Sequence, residues 1–222
     1  MTYRLVVFDW DGTLMDSAAD IVYCFQAATQ DLQWPVPSSE EIHNIIGLGM
    51  KEAVAILFPH TQHSAKDVDA LVERYRYYYF HPEKRQPVLF AGASELVRQL
   101  EHEGYFLAVA TGKGRQGLNG VLERTGLKDA FHITRCVDEA HSKPHPQMLE
   151  DIMAFVGVEP GETLMVGDSE YDLLMANNAG VDAAAVLCGA HSKDRLLTHN
   201  PVIWFEHTYQ LGSWLKTQNI KQ

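Results

Sequence analysis

Leu5-Val6-Val7-Phe8-Asp9-Trp10-Asp11-Gly12-Thr13-Leu14 is an apolar run that ends in two carboxylates one residue apart. An uninterrupted apolar run predicts a strand buried on both faces, as in a parallel sheet covered by helices. Acids at its carboxyl end would open into the crevice where open α/β sheets bind ligands. Read alone, Asp11-Gly12 would serve as well for a hairpin turn. The rest of the chain decides between the two.

Four further segments repeat the grammar of an apolar run followed by small or polar residues. Phe106 to Ala110 leads into Thr111-Gly112, Thr163 to Val166 into Gly167-Asp168-Ser169, and Ala183 to Leu187 into Cys188-Gly189, while a weaker Phe131-His132-Ile133 precedes Asp138. Helical segments separate them: Ser94 to Glu103, Arg115 to Thr125 and Glu170 to Ala179 each stop at a glycine, Gly104, Gly126 and Gly180, where a left-handed cap belongs. The alternation predicts a Rossmann-like α/β core, a parallel sheet with crossover helices.

From Asp16 to about Pro87 the alternation stops. Ile21-Val22-Phe25-Ala28 and Val68-Leu71-Val72-Tyr75 fall at helical spacing, and Ser38-Ser39-Glu40-Glu41 resembles a helix start. We therefore expect a helical cap over residues 17–87, inserted after the first strand of a core made of 1–16 and 88–222. Its linkers lie near Asp16-Ser17 and Glu83 to Val88, so the cap would sit over Asp9 and Asp11, where it can exclude water and select substrates.

Composition narrows the function. The formal net charge of −11 predicts no general attraction to nucleic acid or anionic lipid, so an anionic substrate needs a local positive site or a metal. Cys24, Cys136 and Cys188 are far apart and lack CxxC spacing, which suits buried thiols in a reducing cytoplasm better than disulfides or structural zinc. No apolar run approaches a signal peptide or a membrane span.

Asp9-Trp10-Asp11-Gly12-Thr13, Thr111-Gly112-Lys113, Ser142-Lys143-Pro144 and Gly167-Asp168-Ser169-Glu170-Tyr171-Asp172 all fall at strand ends or on the loops after them. In this order and spacing they resemble the four motifs of the haloacid dehalogenase superfamily, mostly magnesium-dependent phosphatases. The first motif with its helical cap looks most like the phosphoglycolate phosphatase group. The resemblance implies an Mg²⁺ ion held by Asp9 and Asp168 carboxylates and the Asp11 backbone carbonyl.

The residues support such chemistry in their own right. A phosphate monoester is slow to hydrolyse, so a catalyst must supply a nucleophile, a proton for the leaving group and cations for the phosphoryl oxygens. Asp9 is the expected nucleophile, forming an aspartyl-phosphate, and Asp11 the expected proton carrier. Asp172, one helical turn after Asp168, would face the same site and orient a metal-bound water. Thr111, Gly112 and the amides at the following helix start would hold phosphoryl oxygens, with Lys143 adding a point charge. In the cap, Gly47, Leu48, Gly49 and Lys51 are expected to set specificity for a small phosphorylated metabolite.

Other readings meet obstacles. A dehalogenase has no leaving alcohol for Asp11 to protonate. A phosphonate hydrolase needs a cap lysine, for which Lys51 is the candidate. A sugar phosphomutase shares nearly all these residues. A phospho-acceptor binding module would use an acidic strand-end pocket but neither the insert nor the second acid. Gly112 to Gly117 spells a dinucleotide-binding G-x-G-x-x-G, but after the second strand and already inside the second motif. Gly114, Gly117 and Gly120 predict a helix packed unusually close to a neighbour. Arg74 to Phe80 reads as core packing with a solvated arginine face, the alternative being a substrate wall or interface, and His141 and His145 as solvated loop residues.

Overall fold

The computed structural model describes residues 3–61, 63–81 and 87–219. Elements follow in chain order as β1 (Leu5–Phe8), β2 (Met15–Asp16), α1 (Ala18–Asp31), α2 (Ser39–His43), α3 (Met50–Leu57) and α4 (Ala65–Tyr79). Then come β3 (Val88–Leu89), α5 (Ala93–His102), β4 (Phe106–Thr111), α6 (Arg115–Thr125), β5 (Ile133–Cys136) and α7 (Gln147–Val156). The chain closes with β6 (Thr163–Gly167), α8 (Glu170–Asn178), β7 (Asp182–Val186), α9 (Lys193–Leu197), β8 (Ile203–Phe205) and α10 (Leu211–Asn219).

β1 owes its central place to being apolar on both faces. Leu5 pairs in parallel with Phe106 of β4 on one side and with Thr163 of β6 on the other, within a six-stranded sheet of order β5-β4-β1-β6-β7-β8. Val6 and Phe8 pack toward α5, α6 and α10 through Leu96, Leu100, Leu118, Val121 and Leu211. Leu5 and Val7 face the opposite layer, Met148, Leu149 and Ile152 of α7 with Leu173 and Ala176 of α8. The chain winds outward through β4 and β5, then returns to β6 on the other side of β1. The strand order therefore reverses at the carboxyl end of β1, where the loops after β4 and β6 part and leave a crevice.

Asp11-Gly12 forms no strand-to-strand hairpin of the main sheet but a tight loop at the end of β1, in which Gly12 donates to the Met15 carbonyl. The segments that enter and leave the insert do not run separately: β2 pairs antiparallel with β3, Met15 opposite Leu89 and Asp16 opposite Val88. Glu83 to Gln86 of the expected second linker lie outside the described residues.

Between this ribbon's two strands the described residues form α1 to α4, with a core of their own built from Val22, Phe25, Ile42, Ile45, Val54 and Leu71. Ser38 and Ser64 start α2 and α4 with capping boxes closed by Glu41 and Asp67, so the expected helix start at Ser38 is found. Gly104, Gly126 and Gly180 adopt φ of 85, 68 and 68° after α5, α6 and α8. Among the described residues no helix is long and apolar enough to cross a membrane.

Candidate active site

Asp9 sits at the tip of β1, its amide donating to Val166 of β6, and its side chain is buried. Lys143, on the loop after β5, donates from Nζ to Asp9 Oδ1 at 2.6 Å and to Asp172 Oδ1 at 2.6 Å. Asp172 is held in the first turn of α8 because its Oδ2 accepts from the Ser169 amide and hydroxyl, at 3.0 and 2.7 Å. Asp168, at the tip of β6, accepts from Thr13 Oγ1 at 2.7 Å and from the Ala190 amide at 2.8 Å. One carboxylate oxygen from each of Asp9, Asp168 and Asp172 lies within 4.8 Å of the others.

Burial governs the electrostatics. It pushes the Asp9 carboxyl well above the ordinary range, against the pull of Lys143 and with the push of Asp172 and Asp168. Asp168 is pushed up to about 7 by burial and then by Asp172, with the Thr13 hydrogen bond opposing. Burial alone would discharge Lys143, but the Asp172 and Asp9 carboxylates hold its ammonium above the ordinary value.

Asp11 has different company. Ser17 donates to its Oδ1 at 2.7 Å, and Lys113 pairs with its Oδ2 at 2.8 Å. Lys113 also lies 4.5 Å from the ring centre of Tyr79, the last residue of α4, and donates to its hydroxyl at 3.3 Å. Burial disfavours this ammonium too, and Asp11 outweighs the penalty. Together, Asp9, Asp11, Asp168 and Asp172 set four carboxylates against the ammoniums of Lys143 and Lys113. A divalent cation fits this donor set: the oxygens are hard and clustered, and among the described residues four carboxyl groups face two ammoniums.

Asp9 and Asp11 open onto a cavity of about 460 Å³ between the strand ends and α1, α3, α4 and the loop before α3. The structure brings Thr111, Gly112, Gly47, Leu48, Gly49 and Lys51 to its lining, while Lys143, Asp168 and Asp172 stand behind Asp9. Gly112 is needed by close approach: a Cβ there would lie 2.6 Å from the Gly47 carbonyl oxygen and 2.8 Å from that of Leu48. Gly49 donates its amide to Ser142 Oγ at 2.8 Å, fastening the same loop to the third motif.

Several expectations need correction. The start of α6 is not wholly open to phosphate, since the Arg115 amide donates to Asp138 and the Lys113 amide to Thr111 Oγ1 at 3.2 Å. That acid also fills the anion seat which a dinucleotide fingerprint would use. Gly114, Gly117 and Gly120 bring no helix backbone into close contact: a Cβ at Gly114 would meet side-chain tips, Arg76 Nη2 of α4 and Asp138 Oδ2, at 3.4 Å, one at Gly117 the Lys113 stem at 3.0 Å, and one at Gly120 only Phe80 at 4.0 Å. Gly117 thus clears the path along which Lys113 reaches Asp11. The aromatic run divides by helix face. Tyr75, Arg76, Tyr79 and Phe80 line the cavity, whereas Arg74 pairs with Asp31 and packs on Tyr77.

Sequence reasoning gave no individual chemical role to Thr13, Ser17, Lys113 or Tyr79. Lys113, two residues past the tip of β4 in the second motif, is a lysine beside predicted acids, a signal that was available. Tyr79 had none, because its partner is distant in sequence.

Comparison with known proteins shows the family. The family model described as haloacid dehalogenase-like hydrolase matches residues 6–186, from β1 to the end of β7. "Probable phosphatase IndB" of Dickeya dadantii is 36% identical over 202 residues, 90% of this chain and 87% of that one. "Pyrophosphatase PpaX" of Anoxybacillus flavithermus is 27% identical over 216 residues, covering 97% and 98%. "Phosphoglycolate phosphatase" of Vibrio parahaemolyticus is 27% identical over 204 residues, covering 89% and 90%. Its strand-end acids, its topology and a match that spans the sheet from first to seventh strand place the chain in one family: it belongs to the haloacid dehalogenase-like hydrolases.

Proposed function

We propose that this enzyme is a magnesium-dependent phosphatase that hydrolyses a small phosphorylated metabolite through an aspartyl-phosphate on Asp9. The observation that carries the reading is the pairing of Lys143 with both Asp9 and Asp172 at 2.6 Å, beside Asp168, at the one place where the strand order reverses. A carboxylate oxygen of Asp9 attacks phosphorus, and the bond from phosphorus to the alcohol oxygen breaks as Asp11 gives that oxygen a proton. Asp11 then takes a proton from the water that attacks phosphorus, releasing inorganic phosphate and restoring Asp9. Lys143 neutralises charge beside Asp9 so that a phosphate dianion can approach.

Asp9, Asp168 and the Asp11 backbone carbonyl would hold Mg²⁺, with Asp172 placed to orient its water. The ion supplies charge stabilisation to the phosphoryl oxygens. Residues 17–87 act in this reading as a cap domain over the site, its loop of Gly47, Leu48, Gly49 and Lys51 facing the substrate. Lys51 is exposed, which does not supply the desolvated amine that phosphonate chemistry asks of a Schiff-base lysine. Three free thiols suit work in a reducing cytoplasm. Relatives named for phosphoglycolate and for pyrophosphate differ in what leaves phosphorus, so their names do not fix the leaving group here. Turnover of p-nitrophenyl phosphate that requires Mg²⁺ and is lost in Asp9→Asn supports the reading. Turnover that survives either change overturns it.

A further inference from the structure

We propose that the alcohol this enzyme releases carries a bulky apolar body of about the size of a ring, and not a second anionic group. The inference rests on the phosphatase reading and names its substrate class. A cavity of about 460 Å³ lies in the range that holds drug-sized ligands, far beyond the need of a two-carbon acid. Its wall is apolar: the partly buried Ile21 of α1, Leu48 just before α3 and Met50 at its start, and Val68 and Val72 of α4 line the same space as Asp9 and Asp11, with the buried Phe25 and Ile45 packed behind them. Tyr75, one turn beyond Val72, stacks on Tyr79 with ring centres 6.0 Å apart and planes at 15°, a flat aromatic edge to that wall.

The charges point the same way. Among the described residues Lys113 is the buried cation in the lining, and it is committed to Asp11 and to Tyr79. Lys51 and Arg76 are exposed at the mouth, with Glu52 and Asp138 also in the lining. A substrate carboxylate or second phosphate pushed against the wall would lose water without gaining a buried partner among the described residues. An apolar ring would gain by leaving water there.

The test uses primary alkyl phosphates whose leaving alcohols have nearly equal acidity, so that differences report binding and not intrinsic reactivity. The wild-type enzyme is assayed with Mg²⁺ on ethyl, butyl, 2-cyclohexylethyl and 2-phenylethyl phosphate, beside phosphoglycolate and pyrophosphate. We expect kcat/KM to be about tenfold or more higher for 2-phenylethyl than for ethyl phosphate, mainly through KM, and higher than for either anionic substrate. Val72→Thr, which exchanges a methyl for a hydroxyl, should lower the ratio of 2-phenylethyl to ethyl phosphate several-fold. Val68→Thr, one turn earlier on the same face, serves if the first variant does not fold. A flat series, an anionic substrate ahead of the phenyl ester, or an unchanged ratio in the variants overturns this inference alone. Failure on every ester, p-nitrophenyl phosphate included, removes the phosphatase reading and this inference with it.

Discussion

Asp11 is gripped from two sides, by the Ser17 hydroxyl at one oxygen and the Lys113 ammonium at the other. Lys113 is spent on this acid and on Tyr79, so in the proposed mechanism it would act through Asp11 and not on the substrate. Lys113→Met should therefore lower kcat by about tenfold or more and move KM by less than about threefold, as steady-state kinetics can check. A change confined to KM would make Lys113 a substrate contact instead. Thr13 plays the corresponding part for Asp168, fixing one carboxylate oxygen at 2.7 Å. Thr13→Val should raise the Mg²⁺ concentration for half-maximal activity by about 10–100-fold, measured by titration of the rate.

At the scale of elements, the loop between α2 and α3 lies so close to the second motif that Gly112 cannot bear a side chain. Gly112→Ala would force the Gly47 and Leu48 carbonyls away, and we expect kcat/KM to fall by about tenfold or more while the Mg²⁺ requirement stays constant. The helix starts make a separate prediction. Ser64→Ala removes a capping box at an exposed end of α4 and should cost about 0.5–2 kcal/mol in urea unfolding.

Elements also separate what can be read in sequence from what cannot. The interior strands β1, β4, β6 and β7 were legible because both of their faces are buried and the sequence is continuously apolar. The sheet edges were not. β5 is displaced from the expected Phe131 to Ile133 onto Ile133–Cys136, with Thr134 and Arg135 half-buried, and β8 was missed because Trp204 and Val202 face outward. An edge strand needs no apolar run, so its signal is weak. Likewise Asp9 and Asp168 announced themselves at strand tips, and Lys143 on the loop after a strand. The Lys113 and Tyr79 contact joins residues 34 apart through tertiary packing that no local pattern encodes.

For the whole molecule, the buried acids tie stability to pH and to metal. The Asp168 carboxyl lies near 7 in the fold against 3.8 in the ordinary state, so between these values the folded chain binds more protons than the unfolded one. The metal-free protein should therefore lose stability as pH rises from about 4 to about 7, a direction that Asp9 reinforces. Mg²⁺ competes with those protons, so its effect on Tm should be larger at pH 8 than at pH 5. Asp168→Asn should flatten the metal-free profile. Thermal melts across pH, with chelator and with Mg²⁺, test both statements, and equal Mg²⁺ stabilisation at the two pH values would contradict them.

The claim that unites these scales is that phosphate passes through Asp9. It is tested most directly by acid-quenching the enzyme within a turnover of p-nitrophenyl phosphate and locating any covalently bound phosphoryl group by peptide mass spectrometry. The account predicts a phosphorylated peptide with the group on Asp9, formed only with Mg²⁺, absent in Asp9→Asn and longer-lived in Asp11→Asn. Label on another residue, or undiminished turnover by Asp9→Asn, would contradict it.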